Sequence, residues 1–207
     1  MRATYLVMGS VASALLLVQL ISEWQSAQTV FCILLVGLAF FSRSDSNGQF
    51  LIIAFLTAFL VEKIVFYPVE LFIFPLNINF IGNSVAFIVQ FSVDVLLIYL
   101  VKNRMKLSLV LTKGKSPCIL EKNYAEGPLY GLLICYASID MLAFIENIIR
   151  NLDRLGVDES FAKQFWDLTF FYDNFEYMKG VLMALTIVVL YMGVVVRKRH
   201  NQTPKLS

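Results

Sequence analysis

Stretches of apolar residues long enough to cross a lipid bilayer recur along the whole of this chain, and that recurrence decides its class. A helix needs ~20 mainly apolar residues to span the hydrocarbon layer, within a range of ~17–25. Such stretches lie at residues 3–21, 27–41, 50–67, 80–101, 129–149 and 180–196. Composition agrees: 58% of the 207 residues are hydrophobic, 15% are charged and the mean hydropathy is +0.72. A soluble domain carries ~25% charged residues, so this chain has too few to cover a surface in water, and lipid is its expected contact. The expectation is an all-α integral membrane protein, a single transmembrane domain over 1–207, built as a polytopic helical bundle of six spans. The stretch 27–41 is short, and 129–149 contains Asp140 and Glu146. The short stretch suits a thinned or tilted setting; 129–149 is the weakest, and a four- or five-span alternative moves it out of the bilayer.

The first stretch has the look of a secretory leader, with Arg2 ahead of an apolar run. Cleavage after Ala27 would set Gln25 where a small residue is required, so it reads as an uncleaved first span. With the N-terminus inside, the inner segments hold Arg2, Arg43, the basic residues of the loop 102–128, the cluster Arg197, Lys198 and Arg199, and Lys205. The outer segments and outer helix ends hold only Lys63, Arg150, Arg154, Lys163 and Lys179 of the 17 Lys and Arg. That asymmetry follows the positive-inside rule and puts both termini in the cytosol.

Two connections are long enough to carry structure. In the inner loop, 102–128, apolar and polar residues alternate from Leu107 to Leu111 and again at 118–120, around Lys113, Gly114 and Lys115. Alternation about a glycine turn predicts a small β-hairpin. Lys106, Lys113 and Lys115 would then either dock a cytosolic protein or hold the loop against anionic lipid. In the outer loop, 150–179, Gly156 ends one helix and Asp158 caps the next. Phe161, Phe165, Trp166 and Tyr172 lie on the aromatic side of an expected amphipathic helix, suited to interfacial anchoring or to sensing an outer stimulus. Helix five is expected to continue through an i,i+4 pair, Glu146 with Arg150. Between spans three and four, Pro68 and Pro75 are expected to prevent a regular helix. An interfacial loop, or a re-entrant one lining a pore, would follow there.

Ionisable residues inside spans are costly, at about 2.5–3.5 kcal/mol for an Asp, Lys or Arg at mid-helix, and so face protein or water. Asp94, Asp140 and Glu62 are the candidates. They serve either a cation or proton path or hydrogen bonding between helices. No GxSG, HExxH, Walker A, GxGxxG or CxxC pattern is present, and the only histidine is His200. These absences point away from an enzyme and offer no cofactor or metal site. A net charge of +2 gives no reason to expect direct nucleic-acid binding.

Three functions fit these features. One is a non-enzymatic membrane subunit that oligomerises and couples the membrane or an outer stimulus to a cytosolic partner. The second is an ion channel or ion-coupled small-solute transporter. The third is an immunity protein against a pore-forming toxin. In size, span-rich profile and basic inner loop the whole chain resembles the membrane subunit of the Kiwa antiphage system. That resemblance implies antiviral defence by a homo-oligomer in the bacterial inner membrane that recruits a soluble DNA-binding partner. It also implies four spans, against the six counted here.

Overall fold

The computed structural model describes residues 11, 24–43, 45–76, 79–112 and 123–202. Six helices of nine or more residues run through them: α1 (Trp24–Phe41), α2 (Ser46–Phe72), α3 (Asn79–Lys102), α4 (Arg104–Thr112), α5 (Glu126–Arg150) and α6 (Phe170–Gln202). No strand occurs among the described residues. All but α4 are long and apolar enough to cross a membrane. The chain is an all-α polytopic bundle, and it is integral to a membrane. Of the six expected spans, five coincide with these helices, and the first, 3–21, lies outside the described residues apart from the helical Val11.

The five long helices alternate in direction, which gives the bundle two ends. The basic end carries the α1–α2 turn, α4, residues 123–126 and Arg197. The aromatic end carries the α2–α3 turn, the α5–α6 connection and Trp24. Helix α5 sits at the centre, packed along α3 on one side and α6 on the other. Its sequence explains this: Leu129, Leu133, Tyr136, Asp140, Ala143 and Asn147 recur at alternating spacings of four and three, and all are buried. The outward faces are left to lipid, with Ile33, Leu60, Ile64 and Phe72 each more than half exposed. Lipid tails are as apolar as these side chains, so close packing and polar contacts, rather than exclusion from water, hold such helices together.

Several expectations are corrected at the level of elements. Helix α2 runs through Pro68 to Phe72, and the Ile73 N–H closes its last turn on the Val69 carbonyl at 2.9 Å. A proline removes one hydrogen bond, but burial of Val69 beyond it keeps the turn in place. Only residues 73–78 then join α2 to α3, too few for a re-entrant loop. The expected strand from Leu107 to Leu111 is part of α4 instead. Arg104 and Ser108, one helical turn apart, are both buried, so tertiary anchoring selects the helix over the alternating pattern. The turn and second arm of that hairpin, at Lys113, Lys115 and 118–120, lie outside the described residues.

The outer connection is helical in pieces. Helix α5 stops at Arg150, and Gly156, at φ 88°, ends the 3-10 turn Leu152–Leu155. Asp158 accepts from the Ser160 N–H at 2.7 Å and caps Glu159–Ala162, as its position suggested. The Ser160 hydroxyl and N–H hold its carboxyl below the usual carboxylate range. A 3-10 turn at Lys163–Phe165 and a non-helical stretch to Thr169 then break the expected continuous helix. Phe161, Trp166 and Tyr172 are exposed, but Tyr172 belongs to α6.

Candidate functional site

Four charged side chains lie deep in the bundle or along its inner cavity, and the structure groups them. Asp94 on α3, Asp140 on α5 and Lys179 on α6 meet where the three helices pack. The Lys179 ammonium lies 2.9 Å from Asp94 Oδ2 and 2.6 Å from Asp140 Oδ1. Asp140 is 0% exposed, Lys179 5% and Asp94 7%. The ammonium also sits over the Tyr136 ring at 4.8 Å and the Phe175 ring at 5.7 Å, both within cation–π range. Each residue falls on the buried stripe of its helix. Lys179 continues the row formed by Leu182, Met183, Thr186 and Leu190, all buried.

Charge counting distinguishes this cluster. Two carboxylates face one ammonium, which leaves one negative charge without a partner in a region shielded from water. An unpaired buried ion costs several kcal/mol, so one more positive charge belongs here. Asp94 and Asp140 flank the Lys179 ammonium, one carboxylate at 2.9 Å and the other at 2.6 Å. A proton taken up by either carboxyl would cancel the excess charge and leave the other paired with Lys179. Among the described residues, no group of three or more Asp, Glu, Cys or His is arranged to hold a metal ion. The arrangement suits one exchangeable proton beside a fixed ammonium.

A way to the cluster opens at the aromatic end. A cavity of about 70 Å³ is lined by Asp94, Lys179, Tyr136, Phe59 and Leu97 among others. Such a volume accommodates a few water molecules, each needing ~10–15 Å³ by this measure. Above it lies a vestibule of about 460 Å³. Trp24, Gln28, Glu62 and Gln90 line both, so the cavity sits directly beneath the vestibule. Glu62 makes no hydrogen bond or ion pair among the described residues and faces this passage. Asp140 lies behind Lys179 and is the innermost acid. Towards the basic end the passage stops at an apolar plug of Leu51, Phe55, Leu129, Ile187 and Leu190, all 4% exposed or less.

Below the plug is a second buried polar cluster, formed by residues that look ordinary until the fold joins them. Arg197 Nε lies 3.0 Å from Asp45 Oδ1, and Arg104 Nε lies 2.5 Å from Glu126 Oε1. The Arg104 guanidinium and the Asn123 amide both donate to Asn47 Oδ1, and Asn123 Oδ1 accepts from the Ala125 N–H. Burial pulls the Arg104 guanidinium below its ordinary value, and the nearby Glu126 carboxylate opposes that shift. Among the described residues, two carboxylates meet two guanidinium groups here. The network ties the start of α2, the start of α4, the start of α5 and the end of α6 together.

Asp94 and Asp140 are thus brought together, with Glu62 on the way to them. Lys179, expected at an outer helix end, is instead their buried partner. The missed signal was its register: a lysine three, four and seven residues before Leu182, Met183 and Thr186 lies on the core stripe of its helix. Glu146 also departs from expectation. Its carboxylate accepts from the Phe171 and Tyr172 N–H groups at 2.8 and 2.7 Å, capping α6 from a neighbouring helix. Arg150 lies over the Tyr172 ring at 4.4 Å instead of pairing with Glu146. Lys106 is exposed on α4 beside Met105, Leu109 and Val110, an apolar face that fits a membrane surface. Phe161 and Phe165 stack edge to face, with centroids 5.4 Å apart. Comparison with protein-family models, curated proteins and solved structures finds no match for this chain.

Proposed function

We propose that this chain is a proton-coupled membrane transporter for a small solute, open towards the aromatic end and closed at the basic end. The observation that carries this reading is the unbalanced, buried Asp94–Lys179–Asp140 cluster at the foot of a passage that, among the described residues, opens at the aromatic end. A proton entering by the vestibule would pass Glu62 and settle on Asp94 or Asp140, cancelling the excess negative charge. Lys179, held midway between two acids, would then be drawn to the one that stays ionised, which biases how α3, α5 and α6 pack. A change of packing that opened the plug and the lower cluster would expose the site to the other face. The two charge states thus supply the differential energy that any switch between conformations requires.

The positive-inside rule orients the basic end, with Arg43, Lys102, Arg104, Lys106 and Arg197, towards the cytosol. The vestibule then faces the exterior of a cytoplasmic membrane. Coupling to a cytosolic partner draws, among the described residues, on Lys106 alone, and no observation favours toxin immunity, so the transport reading takes precedence.

Purified protein in liposomes holding a pH-sensitive dye tests the reading. A panel of small cationic, neutral and anionic solutes is applied as gradients, with and without a membrane potential. At least one solute is expected to drive proton movement above that of protein-free liposomes. No proton movement with any solute in either direction would contradict the proposal.

A further inference from the structure

We infer that the vestibule at the aromatic end binds a small alkylammonium cation, one that carries N–H donors. This names the solute class of the transport reading and rests on it for its biological use, but the binding site is argued from its own chemistry. The vestibule lies between α1, α2, α3 and the start of α6, and its volume of about 460 Å³ falls in the ~300–1,000 Å³ range of small-molecule sites. Among the described residues its charge is one-sided: Glu62, Glu70 and Asp173, with Glu176 beside them, line it against a single cation, Lys63. Lys63 is already engaged, donating to Gln28 Oε1 at 2.6 Å and lying 5.5 Å from the Phe59 ring centroid.

Aromatic rings, among them Trp24, Phe66, Phe74 and Phe87, share the rest of the wall with the amides Gln25, Gln28 and Asn83, and ring faces attract cations while sheltering an alkyl chain. Carboxylates with aromatic rings select an organic cation over both a neutral solute and an anion. A further observation narrows the class. The Gln90 side-chain carbonyl oxygen is buried and has no hydrogen-bond partner among the described residues, and Gln90 lines both the vestibule and the cavity beneath it. A buried acceptor left without a donor costs ~1–3 kcal/mol. An ammonium N–H would satisfy it, whereas a quaternary ammonium has none to offer.

Calorimetric titration of the full chain in detergent tests this with n-butylammonium, tetramethylammonium, neutral n-butanol and anionic butyrate as probes. Butylammonium is expected to bind at least tenfold more tightly than n-butanol and tetramethylammonium, with no heat from butyrate. Glu70→Gln and Asp173→Asn, both at exposed positions that leave the core untouched, should each weaken butylammonium severalfold. Gln90→Leu should remove its advantage over tetramethylammonium. Equal affinity for butylammonium and n-butanol would overturn the inference, since an apolar cleft alone would then suffice. So would absence of butylammonium binding to protein that moves protons with a neutral or anionic solute, and in that case the transport reading survives. Butylammonium binding without proton movement by any solute supports the site and defeats the transport reading instead.

Discussion

Two of the buried polar clusters among the described residues, separated along α6 by about 27 Å at ~1.5 Å per residue, are built on opposite principles. Among the described residues, the lower one matches Asp45 and Glu126 with Arg197 and Arg104, and the amide groups of Asn47 and Asn123 add contacts to Arg104 and to each other. Its described charges balance, and it joins four segments that would otherwise end apart. The upper one sets Asp94 and Asp140 against Lys179 alone, below a water-sized cavity. A balanced network suits a part that holds helices together. An unbalanced cluster with access to one face suits a part that changes charge. Charge stoichiometry, rather than burial, separates the two roles.

Single substitutions can break this contrast. The largest effect is expected for Lys179→Met, which leaves two buried acids facing each other. Loss of one partner of a buried pair costs about 3–5 kcal/mol, and unfolding in detergent followed by circular dichroism should show a loss in that range or above it. Asp45→Asn should come next, at about 3 kcal/mol. Asparagine can still cap α2, so the loss would report the charge removed from Arg197. The smallest change in stability belongs to Asp140→Asn, within about 1 kcal/mol of the unmodified chain, because a balanced Asp94–Lys179 pair remains. The same Asp-to-Asn exchange should therefore unfold one cluster and spare the other. Equal losses at Asp45 and Asp140 would erase the distinction.

Much of the fold was legible in the apolar stretches, because a span must satisfy its own backbone and its length is set by the bilayer. What escaped depended on partners distant in sequence. Pro68 marked a break by local rule, but the buried Val69 continues α2 past it. The alternation from Leu107 to Leu111 matched a strand, yet burial of Arg104 against Glu126 and Asn47 places that segment in a helix. Asp94, Asp140 and Glu62 stood out because carboxylates are rare in spans. Lys179 did not, because a lysine near a helix end is ordinarily read as reaching for the surface. Only the register of α6 shows that it points inward. The lower cluster was illegible for a related reason: Asp45, Asn47, Asn123 and Arg197 each look like ordinary loop or helix-end residues until the tertiary fold joins them.

Proton movement by Asp140→Asn in liposomes, using protein whose unfolding matches that of the unmodified chain, tests the role of the upper cluster most directly. If the upper cluster holds the exchangeable charge, solute-driven proton movement should fall to the level of protein-free liposomes while the fold persists. Proton movement equal to that of the unmodified chain would show that the cluster is a structural contact and that the passage serves another purpose.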